Sequence, residues 1–115
     1  MLLRPPDKKH FPSHWDLPGG KLEEGEGEIE GLKREILEET KLVVKDQPLF
    51  MGEFESEAHG KIWMVKVFII EQATGECTIN EEHIDYKWVS KGEMKVMKKP
   101  PYVQKVLARL YTGGD

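Results

Sequence analysis

The 115-residue sequence has a single cysteine, no long apolar run and no excess of positive charge. Cys77 cannot form an intramolecular disulfide or a zinc cluster, which suits a reducing compartment. The longest apolar stretch, residues 67–70, is far shorter than the roughly 20 residues of a transmembrane helix. No secretory signal is visible, and a formal net charge of −4 disfavours a nucleic-acid polymer as partner. We expect a cytoplasmic protein that does not enter a membrane.

The composition is that of a folded chain rich in charge, with 38% hydrophobic and 33% charged residues. A chain of this length has room for one hydrophobic core. No internal repeat is visible, and strand and helix patterns alternate along the sequence. We therefore expect a single domain over residues 1–115, of the α/β or α+β class.

Two segments have the apolar spacing of helices. Ile29, Leu32 and Ile36 recur at positions i, i+3 and i+7 and predict a helix over residues 27–41. A second helix is predicted after Pro100-Pro101, where apolar residues return to helical spacing.

The other apolar segments are short and rich in β-branched or aromatic residues, which is typical of strands. The predicted strands are 2–3, 42–44, 49–54, 62–71, 77–79 and 86–89. Residues 74–76 contain a glycine and separate two of these strands, so 62–71 and 77–79 are predicted to form a hairpin.

Three carboxylates crowd one side of the first predicted helix. Glu35 and Glu39 are four residues apart and Glu38 lies between them, so their side chains are neighbours on the helix. Repulsion between like charges at this spacing destabilises an isolated helix by about 0.2 to 0.5 kcal/mol per pair. Converging oxygen ligands suit a hard divalent cation such as Mg²⁺. A solvated acidic face is the simpler alternative, and the helix by itself leaves both interpretations open.

The residues around this helix form a longer pattern. Gly20 is followed by five residues, Glu26, seven residues, and then the run Arg34-Glu35-Ile36-Leu37-Glu38-Glu39-Thr40-Lys41-Leu42. This resembles the signature of the Nudix hydrolase family. Of the fixed positions one differs, because Lys41 stands where the family has the glycine that ends the helix in a left-handed conformation. Residues 15–19 and 82–89 also resemble family segments.

The resemblance implies an α/β fold, a Nudix-type α/β/α sandwich with a mixed β-sheet. It implies Mg²⁺, or Mn²⁺ as a substitute, bound by a loop, helix and loop. By position in the signature, Glu35, Glu38, Glu39 and the Gly19 carbonyl would be metal ligands. Glu26 and Arg34 would orient the loop and a ligand carboxylate.

The resemblance also implies the reaction, which is hydrolysis of a diphosphate bond in a nucleoside diphosphate linked to another group. Examples are a nucleoside triphosphate, ADP-ribose or a dinucleoside polyphosphate. Glu82 stands where some family members bring a further carboxylate from a loop, as a metal ligand or as the base; Glu81 is the fallback. Phosphate contacts are expected from Gly20, Lys21 and Arg4. The catalytic residues would be Glu38, Glu35, Glu82 and Arg34. The rival hypothesis is a non-catalytic module that binds a nucleotide or a protein.

Family members usually have another strand before the one that Leu2 and Leu3 begin. The chain is therefore expected to be a truncated start, a swapped dimer or a smaller variant. An open sheet edge at Leu2 and Leu3 would favour pairing with a second copy, so a homodimer is predicted.

Four aromatic residues could stack on a base but are assigned to the core, since large aromatics in strands are more often buried. They are Trp15, Trp63, Phe54 and Tyr86.

Overall fold

The computed structural model describes residues 1–113, which form seven strands and three helices. The predicted domain end at residue 115 lies outside this part of the chain. The elements in chain order are β1 (Leu2–Leu3), β2 (Trp15–Asp16), α1 (Glu28–Thr40), β3 (Val43–Val44), β4 (Leu49–Ala58), β5 (Lys61–Ile69), β6 (Ala73–Thr74), β7 (Asp85–Tyr86), α2 (Lys91–Val96) and α3 (Pro101–Gly113).

Strand β1 lies in the middle of a three-stranded sheet, with β2 on one side and β7 on the other. Leu2 pairs with Asp16 in β2 and with Tyr86 in β7. The open edge predicted at Leu2 and Leu3 is therefore wrong, because two segments distant in sequence close both sides of β1. The homodimer stays a prediction, but it no longer rests on this edge.

The predicted hairpin between residues 62–71 and 77–79 is also wrong. Strand β5 pairs with β4 over nine positions, from Leu49 opposite Ile69 to Ala58 opposite Lys61. The loop is His59-Gly60, with φ values of 54° and 76°, as a two-residue hairpin turn requires. Residues 77–79 form no strand, because the Thr78 N–H donates to a carbonyl at the end of α1. The short strand before them, β6, pairs with β3.

The helices cover the strands and complete the core. Helix α1 packs against β3, and α3 packs against β4 and α2. The α/β class is confirmed, although the strand pairs within residues 1–113 are all antiparallel rather than mixed. Helix α1 connects β2 to β3, which belong to different sheets, so this crossover brings no parallel pair together. In the part of the chain whose burial is described, the core includes the side chains of Leu2, Ile36, Val67, Met94, Val103, Val106 and Leu107.

Helix α1 has the left-handed ending that glycine usually supplies, although the residue is lysine. Lys41 has φ 64° and ψ 10°, and its N–H donates to the Leu37 carbonyl. The helix therefore ends as the family signature implies, with a side chain in a conformation that L-residues rarely adopt. Within residues 1–113, no helix combines the length and apolarity needed to cross a bilayer.

Candidate active site

Arg34 is the charge centre of the site. Its Nε donates to Glu26 at 2.6 Å, and its Nη1 donates to Glu35 at 3.0 Å and to Glu38 at 3.1 Å. Its Nη2 reaches a second Glu26 oxygen at 3.0 Å and the Lys21 carbonyl at 3.3 Å. One guanidinium thus joins helix α1 to residues 19–27, which we call the box loop. Such paired contacts exploit the planar fork that arginine has and lysine lacks.

Glu26 holds the box loop in place. Besides its two bonds to Arg34, its Oε1 accepts the Glu23 N–H at 2.9 Å, which closes a turn before the helix. The hydrogen bonds from Arg34, followed by that from Glu23, lower the pKa of Glu26 to about 2. Glu26 is therefore ionised at neutral pH and acts on loop geometry through Arg34.

Two glycines leave space for these contacts. A Cβ on Gly20 would lie 2.7 to 2.9 Å from the carboxylate atoms of Glu35, closer than real Cβ atoms come to a neighbour. A Cβ on Gly31, inside α1, would overlap the Leu22 side chain and lie 2.9 Å from Glu26 Oε1. Gly20 is a predicted site residue, whereas Gly31 was missed, since its role depends on how the loop folds over the helix.

Glu39 is the buried carboxylate of the group, with 4% of its surface exposed. Its Oε1 accepts the Gly19 N–H at 3.2 Å, so the predicted residue Gly19 does lie against it. Burial first, and the neighbouring Glu35 and Glu82 carboxyls after it, raise the pKa of Glu39 to about 8, against the opposing effect of the Gly19 hydrogen bond. This carboxylate needs either a proton or a cation beside it.

The donor set fits a divalent cation in part. Glu35 and Glu39 lie side by side, and their oxygens are of the type that Mg²⁺ and Mn²⁺ prefer. Glu38 instead turns outward to Arg34, with 55% of its side chain exposed. Consequently, no three acidic, histidine or cysteine side chains within residues 1–113 converge as metal ligands would. Glu38 would have to leave Arg34 to complete such a site.

Residues 80–82, which we call the late loop, are joined to the end of α1 by Asn80, a residue that sequence reasoning missed. Asn80 Nδ2 donates to the Glu38 carbonyl at 3.0 Å, and its Oδ1 accepts the Glu82 N–H at 3.0 Å. These bonds bring Glu82 near enough to Glu39 to affect its pKa. Glu82 therefore lies near Glu39, and both Glu82 and the fallback residue Glu81 are exposed.

The two predicted phosphate-binding cations lie in different surroundings. Lys21 belongs to the box loop, and its Nζ lies 4.7 Å from the centroid of the Trp63 ring. Arg4 donates to Asp16 at 3.4 Å and to the His10 carbonyl at 3.0 Å. Lys21 is thus joined to the carboxylate group through Arg34, whereas the contacts of Arg4 are with residues outside the box loop.

Comparison with known proteins identifies the family of this domain. The model of the NUDIX domain matches residues 1–110. The chain belongs to the Nudix family. Nudix enzymes generally use divalent metals, which agrees with the oxygen donors around Glu39.

Several curated Nudix relatives are nucleoside triphosphatases by name. The nucleoside triphosphatase NudI of Escherichia fergusonii is 34% identical and aligns with 72% of this chain and 66% of its own length. NudI of Escherichia coli O139:H28 is 36% identical with the same coverage. The chain thus spans just under two thirds of the length of the curated relatives it matches.

Solved structures agree with the Nudix fold. The MutT protein of Methanosarcina mazei is 30% identical, with a TM-score of 0.81 over 94% of this chain and 78% of that chain. The ORF135 protein of E. coli, at 21% identity, has a TM-score of 0.82 over 99% of this chain and 83% of that chain. At that identity, the second likeness concerns the fold alone.

Proposed function

We propose that this Nudix domain is an enzyme that hydrolyses a pyrophosphate bond in a nucleoside diphosphate linked to another group. The observation that carries the proposal is Glu39, a carboxylate buried against Glu35 with a raised pKa. Arg34 provides a counter-charge for Glu35, but burying the Glu39 carboxylate without one is costly. A divalent cation brought by a nucleotide substrate would supply that charge, and a solvated acidic face would not bury Glu39.

The proposed metal is Mg²⁺, with Mn²⁺ as a substitute, held by Glu35, Glu38, Glu39 and the Gly19 carbonyl. When bound, it would neutralise diphosphate charge and make the attacking water more acidic. Arg34 and Glu26 set the positions of Glu35 and the box loop. Glu82 or a carboxylate of α1 takes the proton from water, and the phosphates are contacted by Gly20, Lys21 and Arg4. In this proposal the catalytic residues are Glu38, Glu35, Glu82 and Arg34.

The proposed substrate is a small molecule, and the relatives favour one class of it. Nucleoside triphosphates, ADP-ribose and dinucleoside polyphosphates all contain the required bond. The two NudI relatives are nucleoside triphosphatases by name, so nucleoside triphosphates are the first class to test.

The test is phosphate release from these compounds in Mg²⁺, with and without added phosphatase. We expect turnover of at least one compound, and a loss of at least 100-fold, roughly 3 kcal/mol, in Glu38→Gln and in Glu39→Gln. Glu30→Gln is the matched control, because Glu30 is an exposed residue of the same helix. Undiminished turnover by both site variants would refute the metal-binding role of these carboxylates.

A second candidate function is a non-catalytic module that binds a nucleotide or a protein. The observation in its favour is that Glu38 is engaged by Arg34 at 3.1 Å instead of joining Glu35 and Glu39. It predicts nucleotide binding by calorimetry with no turnover of any compound in the panel. Turnover that depends on Glu38 and Glu39 would exclude it.

We also propose that the chain is a single domain over residues 1–115, that it works in the cytoplasm without a membrane or nucleic-acid partner, and that it forms a homodimer. The exposed apolar side chains Ile62 and Met64 on β5, 70% and 55% exposed, support association of two copies. Light scattering at working concentration tests the dimer, and a monomeric mass would remove it.

A further inference from the structure

Trp63 connects the β4–β5 hairpin to the candidate active site. The Lys21 ammonium lies 4.7 Å from the centroid of its ring. The carbonyl of the same lysine accepts a hydrogen bond from Arg34 at 3.3 Å, and Arg34 contacts the α1 carboxylates. A single residue of the box loop therefore separates the indole from the proposed site of hydrolysis.

The hairpin presents Trp63 as a fixed, partly open surface. Trp63 pairs with Ser56, which is 7% exposed, and the next pair on the same face is Phe54 with Val65. Helix α3 contacts this face at Phe54, where Lys105 Nζ lies 5.7 Å from the ring centroid. The indole itself is half-buried. The face is thus occupied by α3 at Phe54 and reached by the box loop at Trp63.

We propose that Trp63 is the platform on which the nucleobase of the substrate stacks, and that Lys21 leaves the ring to contact the phosphates. The inference rests on the proposed function and deepens it by assigning a residue to base binding. An indole face attracts both a cation and a base, so one surface can exchange one for the other.

The other aromatic side chains are placed differently. The Trp15 ring is contacted by Lys87 at 5.2 Å, and that of Phe54 by cations of α3. Trp88 is 76% exposed, so its ring has few neighbouring side chains that could enclose a stacked base. Among the side chains described in residues 1–110, the aromatic ring contacted by a cation of the box loop is that of Trp63.

The test separates base binding from phosphate chemistry. KM and kcat are measured in Mg²⁺ for the four ribonucleoside triphosphates and for inorganic tripolyphosphate, which has no base. The variants are Trp63→Leu, which keeps apolar bulk, Trp63→Phe, which keeps a smaller ring, and Trp88→Leu as matched control. Because the loss of base stacking weakens binding substantially, Trp63→Leu should raise KM for the preferred nucleotide at least tenfold, with kcat changed less than threefold.

Tripolyphosphate decides between stacking and a structural role. We expect Trp63→Leu to hydrolyse tripolyphosphate at the same rate as the wild type. For the nucleotide, we expect the KM of Trp63→Phe to lie close to the wild-type value and the KM of Trp88→Leu to equal it. An unchanged nucleotide KM in Trp63→Leu overturns the inference while the proposed function stands. An equal loss with tripolyphosphate also overturns it, because Trp63 would then act on the box loop.

If the wild type hydrolyses none of these compounds, nor ADP-ribose or a dinucleoside polyphosphate, the proposed function fails and stacking is tested by itself. Tryptophan fluorescence is titrated with adenosine, guanosine, cytidine and uridine in EDTA, so that neither metal nor phosphate contributes. Quenching by at least one nucleoside that is lost in Trp63→Phe and kept in Trp88→Phe supports the platform. Quenching that survives in Trp63→Phe, or none with any nucleoside, contradicts it.

Discussion

Replacing Lys41 by glycine should stabilise the protein. Lys41 ends helix α1 with φ 64° and ψ 10°, a conformation that costs an L-residue roughly 1 to 2 kcal/mol. Glycine removes this strain, but it also increases the conformational entropy of the unfolded chain, which lowers the free energy of unfolding by about 0.4 to 1 kcal/mol. The free energy of unfolding should therefore rise by about 0.5 to 1 kcal/mol, since both terms apply to the same residue. This corresponds to roughly 2 to 4 °C in Tm.

The assay is urea unfolding followed by circular dichroism, with Lys41→Ala as the matched control. Alanine removes the lysine charge near the helix end but keeps the Cβ, so the difference between Lys41→Gly and Lys41→Ala isolates the strain. We expect Lys41→Ala to equal the wild type or lie a few tenths of a kcal/mol below it. If Lys41→Gly is no more stable than Lys41→Ala, the reasoning from backbone conformation is refuted.

Two further stability predictions concern buried polar side chains. Burial lowers the pKa of His83 to about 4, with Arg4 and Lys8 acting in the same direction. At His83 the folded state then binds fewer protons than the unfolded state between about pH 6.5 and 4, so the contribution of His83 to stability falls by about 1 to 3 kcal/mol across this window as the pH is lowered and is constant above it. Urea titrations at several pH values should show a smaller fall in His83→Gln than in the matched control His14→Gln; equal slopes would contradict the assignment. Tyr102→Phe removes the hydroxyl that donates to the buried Asp16 carboxylate and should lower the free energy of unfolding by about 1 to 3 kcal/mol, whereas a cost no larger than that of Tyr86→Phe in the same urea assay would show that the bond contributes little.

The local parts of the fold were predictable because their signals lie within a few residues. The apolar spacing of Ile29, Leu32 and Ile36 identified α1 to within one residue at each end, and Pro101 marked the start of α3. The pairing of strands was not predictable in the same way. The segment 77–79 has the residue types of a strand, but its backbone bonds to the end of α1, a contact between segments distant in sequence.

For the candidate site, the sequence by itself determined which charged residues lie on α1 and at what spacing, since helix geometry converts spacing into proximity. Only the tertiary structure decided their partners. Arg34 reaches back to Glu26, Asn80 joins the late loop to α1, and Lys21 extends to Trp63. These contacts depend on how loops pack over the helix and the hairpin, and such packing is a property of the whole chain that no local pattern specifies.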